Sequence, residues 1–450
     1  MRITLWGTRG SIPTPGPGTA RYGGNTSCVE LRTADGTLFI LDCGTGLRLL
    51  GQKLLQERRP IVGNILLSHT HWDHTQGFAF FDPVFQKGNQ FTIFAVSGVD
   101  RSLSEVLAGQ MDYLYFPLTL DELQTSIYFK EIGEETFSVG DVRVQTQFLN
   151  HTILTLGFRI TSGGVSVVYV ADHEPFSANL YRAGVENPTP EDIIHDGDRR
   201  HVEFLTGADL VIHDAQYTTA EYVTKRNWGH STVDYVLDVA MAAGVKQVVL
   251  AHHDPGHDDD LLDRIEAQCQ EYVRSRGSKM KVALGAEGME IYFPEAADQV
   301  TEDLTSLPTS ARFRPARVLV ADDDPGMVRF IQAVLSKDKY DILAASNGEE
   351  AIQVALREQP DLILLDVMMP KLNGYEVAKQ LRQEAGFRHV PIIMFTARAD
   401  EEDIVRSFEI GVNDYIGKPA APALLRSRVR RWLMRSEQSD DEQRNQPAGH

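Results

Sequence analysis

The chain has 450 residues, an ordinary globular composition and a formal net charge of −19. That length accommodates two or three domains, and that charge disfavours loose binding to polyanions and anionic membranes. Three widely spaced cysteines, Cys28, Cys43 and Cys269, argue against a disulfide framework, point to a reducing compartment and read as small buried apolar residues. No apolar run approaches a membrane span and the N-terminus lacks an export-type apolar segment, so the expectation is a cytoplasmic protein with no membrane partner.

Residues 2–6 read as a first strand, and the Gly-, Pro- and Thr-rich stretch 7–24 as a loop. A strand over 29–31 turns through Asp35-Gly36 into a second over 38–41. A short buried strand, 65–67, then ends in Ser68-His69-Thr70-His71-Trp72-Asp73-His74. Alternate residues of an extended chain face one side, so His69 and His71 can share one metal. Asp73 and His74 open the following turn and can face a second metal beside it. Imidazole and carboxylate are the ligands of zinc, and also of manganese and iron.

His-x-His-x-Asp-His after an apolar strand resembles the signature of the metallo-β-lactamase-fold hydrolases, over about the first 295 residues. The resemblance implies an αββα sandwich and a site for two divalent metal ions, zinc first with manganese or iron as alternatives, but leaves the substrate open. It also places Asp42, in Asp42-Cys43-Gly44, behind the histidine loop as a partner that orients the ligands. An ordinary turn or helix-cap Asp is the competing reading.

Further along, a helix is expected near 103–109, and the aromatic run 113–117 is read as packing against the sheet in preference to lining a pocket. A strand over 142–148 leads to His151, which reads as the third ligand of the first metal. A hairpin, 156–160 and 165–169, leads to Asp172-His173-Glu174. A buried carboxylate at a strand end needs a partner, and bridging two metals supplies one; His173 and Glu174 are weaker candidates for supporting roles. Residues 208–217 form another strand ending in polar residues. Gly229-His230-Ser231-Thr232 opens a helix over 233–243, capped by Ser231 or Thr232, where His230 can contact a bound phosphate. A strand over 247–251 ends at His252, preferred to His253 as the last ligand of the second metal. A helix over 258–276 and short strands over 281–293 close the domain. The Gly-His-Ser-Thr and Ala-His-His-Asp-Pro elements, with Gly-Thr-Arg-Gly-Ser near the start, resemble the phosphodiesterase branch of the family, which includes ribonuclease Z. There is no Gly/Pro-rich basic arm of the kind used on transfer RNA, so a small phosphodiester such as a cyclic nucleotide is expected and nucleic acid is not.

Residues 295–315 read as a linker between a domain over 1–294 and a second over 316–436, with a disordered tail over 437–450. In the second domain, apolar strands at 317–321, 362–365, 392–395 and 414–417 alternate with helical patterns near 325–336, 348–358, 374–385 and 401–411. This predicts an α/β, doubly wound parallel sheet with functional groups at the C-terminal strand ends. Asp322, Asp323, Asp366, Thr396, Tyr415 and Lys418 all fall there. Over about 316–436 these residues resemble the response-regulator receiver domain, five-stranded and phosphorylated on aspartate. The resemblance implies that Asp322 and Asp323, with Asp366, bind Mg²⁺ and that Asp366 accepts the phosphoryl group. It makes Thr396 and Tyr415 the switch pair and Lys418 the phosphate contact. A helix over 420–435 carries Arg426, Arg428, Arg430, Arg431 and Arg435, read as a salt-bridged homodimer surface against the alternative of a solvated face.

The expectation is therefore a dinuclear-metal phosphodiesterase in a two-component phosphorelay, partnered by a sensor histidine kinase or phosphotransfer protein. His69, His71 and His151 would hold one metal, Asp73, His74 and His252 the other, with Asp172 between them. Asp73 and His230 are the candidate catalytic groups, His230 contacting the phosphate or protonating the leaving oxygen. A thioester or lactone hydrolase and a non-catalytic signalling adaptor are the alternatives.

Overall fold

The computed structural model describes residues 1–96, 101–177, 180–181, 192–294, 315–338, 340–396 and 410–444. They form two compact units, one built on residues 1–176 and 197–294 and the other on residues 315–444. The expected linker falls outside the described residues except for Pro315, and so does the helix expected over 401–411 save its last two positions.

The first unit has two seven-stranded sheets. One holds β1 (Arg2–Gly7), β2 (Cys28–Arg32), β3 (Leu38–Leu41), β4 (Val62–Leu66), β5 (Gln90–Ala95), β6 (Ser126–Glu131) and β14 (Glu290–Tyr292), in the order β14-β1-β2-β3-β4-β5-β6. The other holds β7 (Thr136–Val139), β8 (Val142–Phe148), β9 (Leu156–Ser162), β10 (Val165–Val170), β11 (Leu210–Asp214), β12 (Gln247–Ala251) and β13 (Lys281–Leu284), in the order β13-β12-β11-β10-β9-β8-β7. Each sheet is antiparallel on one side and parallel on the other, β3 to β6 in the first and β10 to β13 in the second. The inner parallel strands carry buried residues on both faces, as β10 does at all six positions and β11 at all five, whereas the edge strand β6 has none. Strands β5, β6 and β7 carry no motif and were not anticipated.

Helix Gly46–Leu55 buries Leu47, Leu50 and Leu54, at the three- and four-residue spacing of one helical face, against Phe78, Phe81 and Phe91. At about 1.5–3 kcal/mol for each fully buried leucine, that stripe anchors the helix immediately behind Asp42 and Cys43. Thr232, rather than Ser231, caps the helix Val233–Ala242, its hydroxyl accepting from the Tyr235 N–H. All three cysteines are buried and unpaired. The aromatic run departs from the packing expectation: Tyr113, Leu114 and Tyr115 are exposed, and Phe116 alone of the three rings joins the core, edge-on to Phe80. The turn at 112–116 points these side chains outward, because Tyr115 and Phe116 both donate backbone N–H groups to the Asp112 carbonyl.

The second unit is a five-stranded, all-parallel sheet: β15 (Arg317–Ala321), β16 (Asp341–Ala345), β17 (Leu362–Leu365), β18 (Ile392–Thr396) and β19 (Asp414–Gly417), in the order β16-β15-β17-β18-β19. The edge strand β16 was not located from sequence; its half-polar pattern lacks the continuous apolar run of the other four. The last helix is Pro422–Arg444, so the expected disordered tail is corrected: residues 437–444 continue the helix. This stretch has neither Gly nor Pro and is rich in helix-tolerant residues. The arginines on this helix are corrected as well. Arg426, Arg431 and Arg435 are buried, with Arg426 paired to Asp338 and Arg428 and Arg431 to Asp414. They are paired within the unit and do not form a wholly solvated face. Among the described residues no helix is long and apolar enough to cross a membrane.

Candidate metal centre and receiver site

The polar residues of the first unit gather because they follow the C-terminal ends of neighbouring strands. Asp42 follows β3, His69 follows β4, His151 follows β8, Asp172 follows β10, Asp214 ends β11 and His252 follows β12. Two groups of donor atoms result, each compact enough to hold one cation: His69, His71, His151 and Asp172, and Asp73, His74, Asp172 and His252. Asp172 belongs to both. His253, the alternative to His252, instead turns away and meets the Gly285 carbonyl 2.8 Å from its Nε2. A third group, Asp214, His230 and His252, adjoins the second.

Four of the five candidate ligand imidazoles, all but His71, are oriented from behind. His151 Nδ1 donates to the Gly229 carbonyl at 2.8 Å, and His74 Nδ1 to Asp42 Oδ2 at 2.7 Å. The Ser68 hydroxyl donates to Asp42 Oδ2, which leaves its oxygen to accept from His69 Nδ1 at 3.0 Å. His252 Nδ1 donates to the Gln216 side-chain carbonyl at 3.1 Å. With one proton per ring, these partners fix it on Nδ1 and turn the bare Nε2 lone pairs inward. There His69 Nε2 and His71 Nδ1 lie 3.0 Å apart, and His74 Nε2 and His252 Nε2 3.3 Å apart. Asp172 Oδ1 is buried without a hydrogen-bond donor, 3.2 Å from each of those last two nitrogens. Lone pairs and a carboxylate oxygen converging this closely repel unless positive charge lies between them. The donor set therefore fits divalent cations of the zinc, manganese or iron class.

The electrostatics agree. Burial, then the His69 ring, pushes His71 down to about 3, so it is neutral near pH 7, as a ligand must be. Burial opposes charge on His74, yet the Asp172, Asp73 and Asp42 carboxylates outweigh it and raise that pKa. Burial opposes charge on His230 too, but Asp214 and Asp172 carry it up to about 9. The carboxylates call for positive charge, which a proton supplies in part and a divalent ion supplies better.

Asp42 is fully buried and accepts four hydrogen bonds: from the Ser68 N–H at 2.7 Å, the Ser68 hydroxyl at 2.8 Å, His74 Nδ1 at 2.7 Å and the Tyr169 hydroxyl at 2.7 Å. Several supporting residues had no signal in sequence. The Ser11 N–H donates to Asp73 Oδ2 at 2.7 Å from a left-handed backbone, φ 64°. Asp214 lies 3.2 Å from His230 Nδ1 and accepts the N–H groups of His173, Gln216 and Ser231. Two glycines are required by close approach: a Cβ at Gly10 would lie 2.4 Å from His252 Nδ1, and one at Gly229, where φ is +91°, would lie 2.2 Å from His151 Nδ1. Glu174 accepts from the Asn227 and Gly229 N–H groups and the Tyr222 hydroxyl, which holds the Gly229-His230 loop in place. His173 packs behind the site, stacked on His201 with ring centroids 4.1 Å apart.

In the second unit Asp322, Asp323 and Asp366 form a group that could hold a cation at the ends of β15 and β17. Lys418 Nζ bridges Asp322 at 2.6 Å and Asp366 at 3.1 Å. Burial raises the Asp366 carboxyl above its ordinary range, with Lys418 opposing. Thr396 is buried at the end of β18, opposite Gly417, and Tyr415 lies half-buried on β19, opposite Met394.

Comparison with known proteins agrees with this architecture. Residues 37–253 match the β-lactamase superfamily domain and residues 318–430 the response regulator receiver domain. The alkaline phosphatase synthesis transcriptional regulatory protein PhoP of Bacillus subtilis is 47% identical over 121 residues, which are 27% of this chain and 50% of that protein. The chain spans about half the length of such curated relatives. Among solved structures, the metallo-β-lactamase fold protein YhfI from Bacillus subtilis aligns with 18% identity and a TM-score of 0.45, covering 64% of this chain and 98% of that one. A response regulator from Chloroflexus aurantiacus aligns with 36% identity and a TM-score of 0.26, covering 27% and 99%. The chain thus joins a β-lactamase superfamily domain, residues 37–253, to a response regulator receiver domain, residues 318–430.

Proposed function

We propose that the first domain is a dinuclear-metal hydrolase acting on a small phosphodiester, and that phosphorylation of Asp366 in the receiver domain controls it. The observation that carries the reading is the pair of adjoining donor sets sharing Asp172. His69, His71 and His151 would hold one ion and Asp73, His74 and His252 the other. Bound there, divalent ions acidify water and offset charge on phosphoryl oxygens. The chain's own part is to keep the ligand rings aimed, through Asp42, Ser68, Gln216 and the Gly229 carbonyl. Asp214 engages His230 Nδ1 and so leaves Nε2 to meet the substrate. Oriented by Asp214, that ring can donate to a phosphoryl or leaving-group oxygen.

In the receiver, Asp322, Asp323 and Asp366 would hold Mg²⁺, with Lys418 offsetting phosphoryl charge and Thr396 and Tyr415 responding to it. A histidine kinase or phosphotransfer protein would supply the phosphoryl group. The test is turnover of bis(p-nitrophenyl) phosphate and a panel of cyclic nucleotides by metal-loaded protein, before and after treatment with a small phosphoryl donor. Turnover lost in His71→Ala, and a change on phosphorylation absent from Asp366→Asn, are expected. Metal-loaded protein inert on every phosphodiester would move the assignment to ester or thioester hydrolysis.

A further inference from the structure

The Thr152 hydroxyl reaches the metal-facing side of the first donor set. Thr152 Oγ1 lies 3.3 Å from His151 Nε2. His151 Nδ1 is bonded to the Gly229 carbonyl at 2.8 Å, so the ring carries its proton there and Nε2 accepts. Thr152 is therefore the donor. The same Nε2 is 3.2 Å from His71 Nδ1 and 3.5 Å from Asp172 Oδ2, both members of that donor set. The Ser68 hydroxyl, by contrast, meets His69 at Nδ1, the nitrogen turned away from the set. Thr152 thus differs from the supporting residues described above, because it touches a ligand atom on the side where a cation and whatever the cation binds would lie.

Neighbouring bonds fix the segment that carries it. The Leu149 N–H donates to the Thr155 carbonyl at 2.9 Å, the Asn150 N–H to His173 Nδ1 at 3.2 Å and the Asn150 side-chain amide to the Glu174 carbonyl at 2.7 Å. A group held in advance gives up little freedom when a ligand arrives. Thr152 also keeps partial exposure, whereas His69, Asp73, His74, His151, Asp172 and His252 are buried.

The Thr152 proton and a bound cation need the same lone pair, so the hydroxyl must leave Nε2 when the first donor set is filled. Among the described residues His151 Nε2 is the only hydrogen-bond partner of this hydroxyl. The freed O–H then needs an acceptor at the same place, and an anionic ligand oxygen is the strongest kind. Resting on the phosphodiesterase reading, we propose that Thr152 is a substrate-binding residue whose hydroxyl donates to a phosphoryl oxygen once His151 Nε2 is engaged by metal. A hydrogen bond to a charged acceptor strengthens binding by roughly 10- to 150-fold.

The test is calorimetric binding of inorganic phosphate to zinc-loaded full-length protein. Wild type should bind phosphate, and Thr152→Val should bind it roughly 10-fold or more weakly. Thr152→Ser, which keeps the hydroxyl, should stay within about 3-fold of wild type. Valine matches threonine in shape, and Thr152→Ala repeats the comparison with no added methyl in case valine disturbs the loop. Zinc stoichiometry and affinity, from chelator competition, should be the same in all of these proteins, which separates a lost substrate contact from a displaced His151. The proposal is overturned by zinc-loaded wild type that binds no phosphate, or by phosphate affinity in both Thr152→Val and Thr152→Ala within about 2-fold of wild type. Zinc affinity that falls in step with phosphate affinity overturns it as well. Calorimetry needs no turnover, so a protein inert on phosphodiesters whose phosphate affinity depends on the Thr152 hydroxyl would fault the reaction class alone. Turnover of bis(p-nitrophenyl) phosphate, with phosphate affinity indifferent to that hydroxyl, would fault this inference alone.

Discussion

Asp42→Asn isolates the contribution of the carboxylate behind the histidine loop. Asp42 sits at φ 61°, a left-handed conformation that Asn adopts readily, so the substitution changes the hydrogen-bond pattern and charge without adding backbone strain. In the wild type every partner is a donor: the Ser68 N–H reaches Oδ1, while the Ser68 hydroxyl, His74 Nδ1 and the Tyr169 hydroxyl reach Oδ2. An amide has one acceptor oxygen. Its better orientation keeps that oxygen toward the three donors and sets its NH₂ against the Ser68 N–H. Two buried donors are then unsatisfied, at about 1–3 kcal/mol each, which predicts a loss of about 2–6 kcal/mol of domain stability. His74 also loses its anionic partner, and such losses weaken metal affinity by roughly 10- to 100-fold. Chelator competition with zinc and urea unfolding of the metal-free protein measure the two effects separately. Wild-type zinc affinity in the variant, with stability within about 0.5 kcal/mol of wild type, would refute the reasoning, because such a change is typical of a surface site and not of a four-fold buried acceptor.

Gly229→Ala should displace His151 and lower affinity for one of two zinc ions by about 10-fold or more. Gly244→Ala, also left-handed at φ +63° but facing open space, controls for backbone strain of about 1–2 kcal/mol; equal effects in chelator competition would remove the proposed clash. Asp414→Asn should destabilise the receiver domain by about 3–5 kcal/mol, because it leaves Arg428 and Arg431 without their buried counter-charge. Burial works to raise the Asp414 carboxyl, but the two arginines hold it well below the usual range. A folded pKa below the unfolded one contributes stability that is present above about pH 4 and lost as pH falls toward the folded value. Urea unfolding followed through the Trp432 emission, with Trp432→Phe as the blank, should show that acid-side loss in wild type and its absence in Asp414→Asn. Parallel pH curves for the two would contradict the assignment.

Much of this protein is legible without coordinates, because its informative residues follow apolar strands. An apolar run marks the strand, and the next polar residue marks the strand end where ligands collect. The positions of His69, His71, Asp73, His74, His151 and Asp172, and of Asp322, Asp366 and Lys418, are local properties of that kind. What sequence leaves open depends on which strands are neighbours. Asp214 and Gln216 gain meaning only because β11 lies beside β12 and brings them to His230 and His252. His252 and His253 are adjacent in sequence, and the left-handed backbone at His252, φ 61°, accompanies the turn that faces one toward Asp172 and the other toward Gly285. The arginines near the C-terminus look like a charged surface until Asp338 and Asp414 are brought to meet them. The aromatic run at 113–117 looks like core until the turn at Asp112 exposes most of it. Sequence spacing determines which side chains share a strand end or a helix face; strand order and turn geometry determine what each of them meets, and tertiary structure alone decides those.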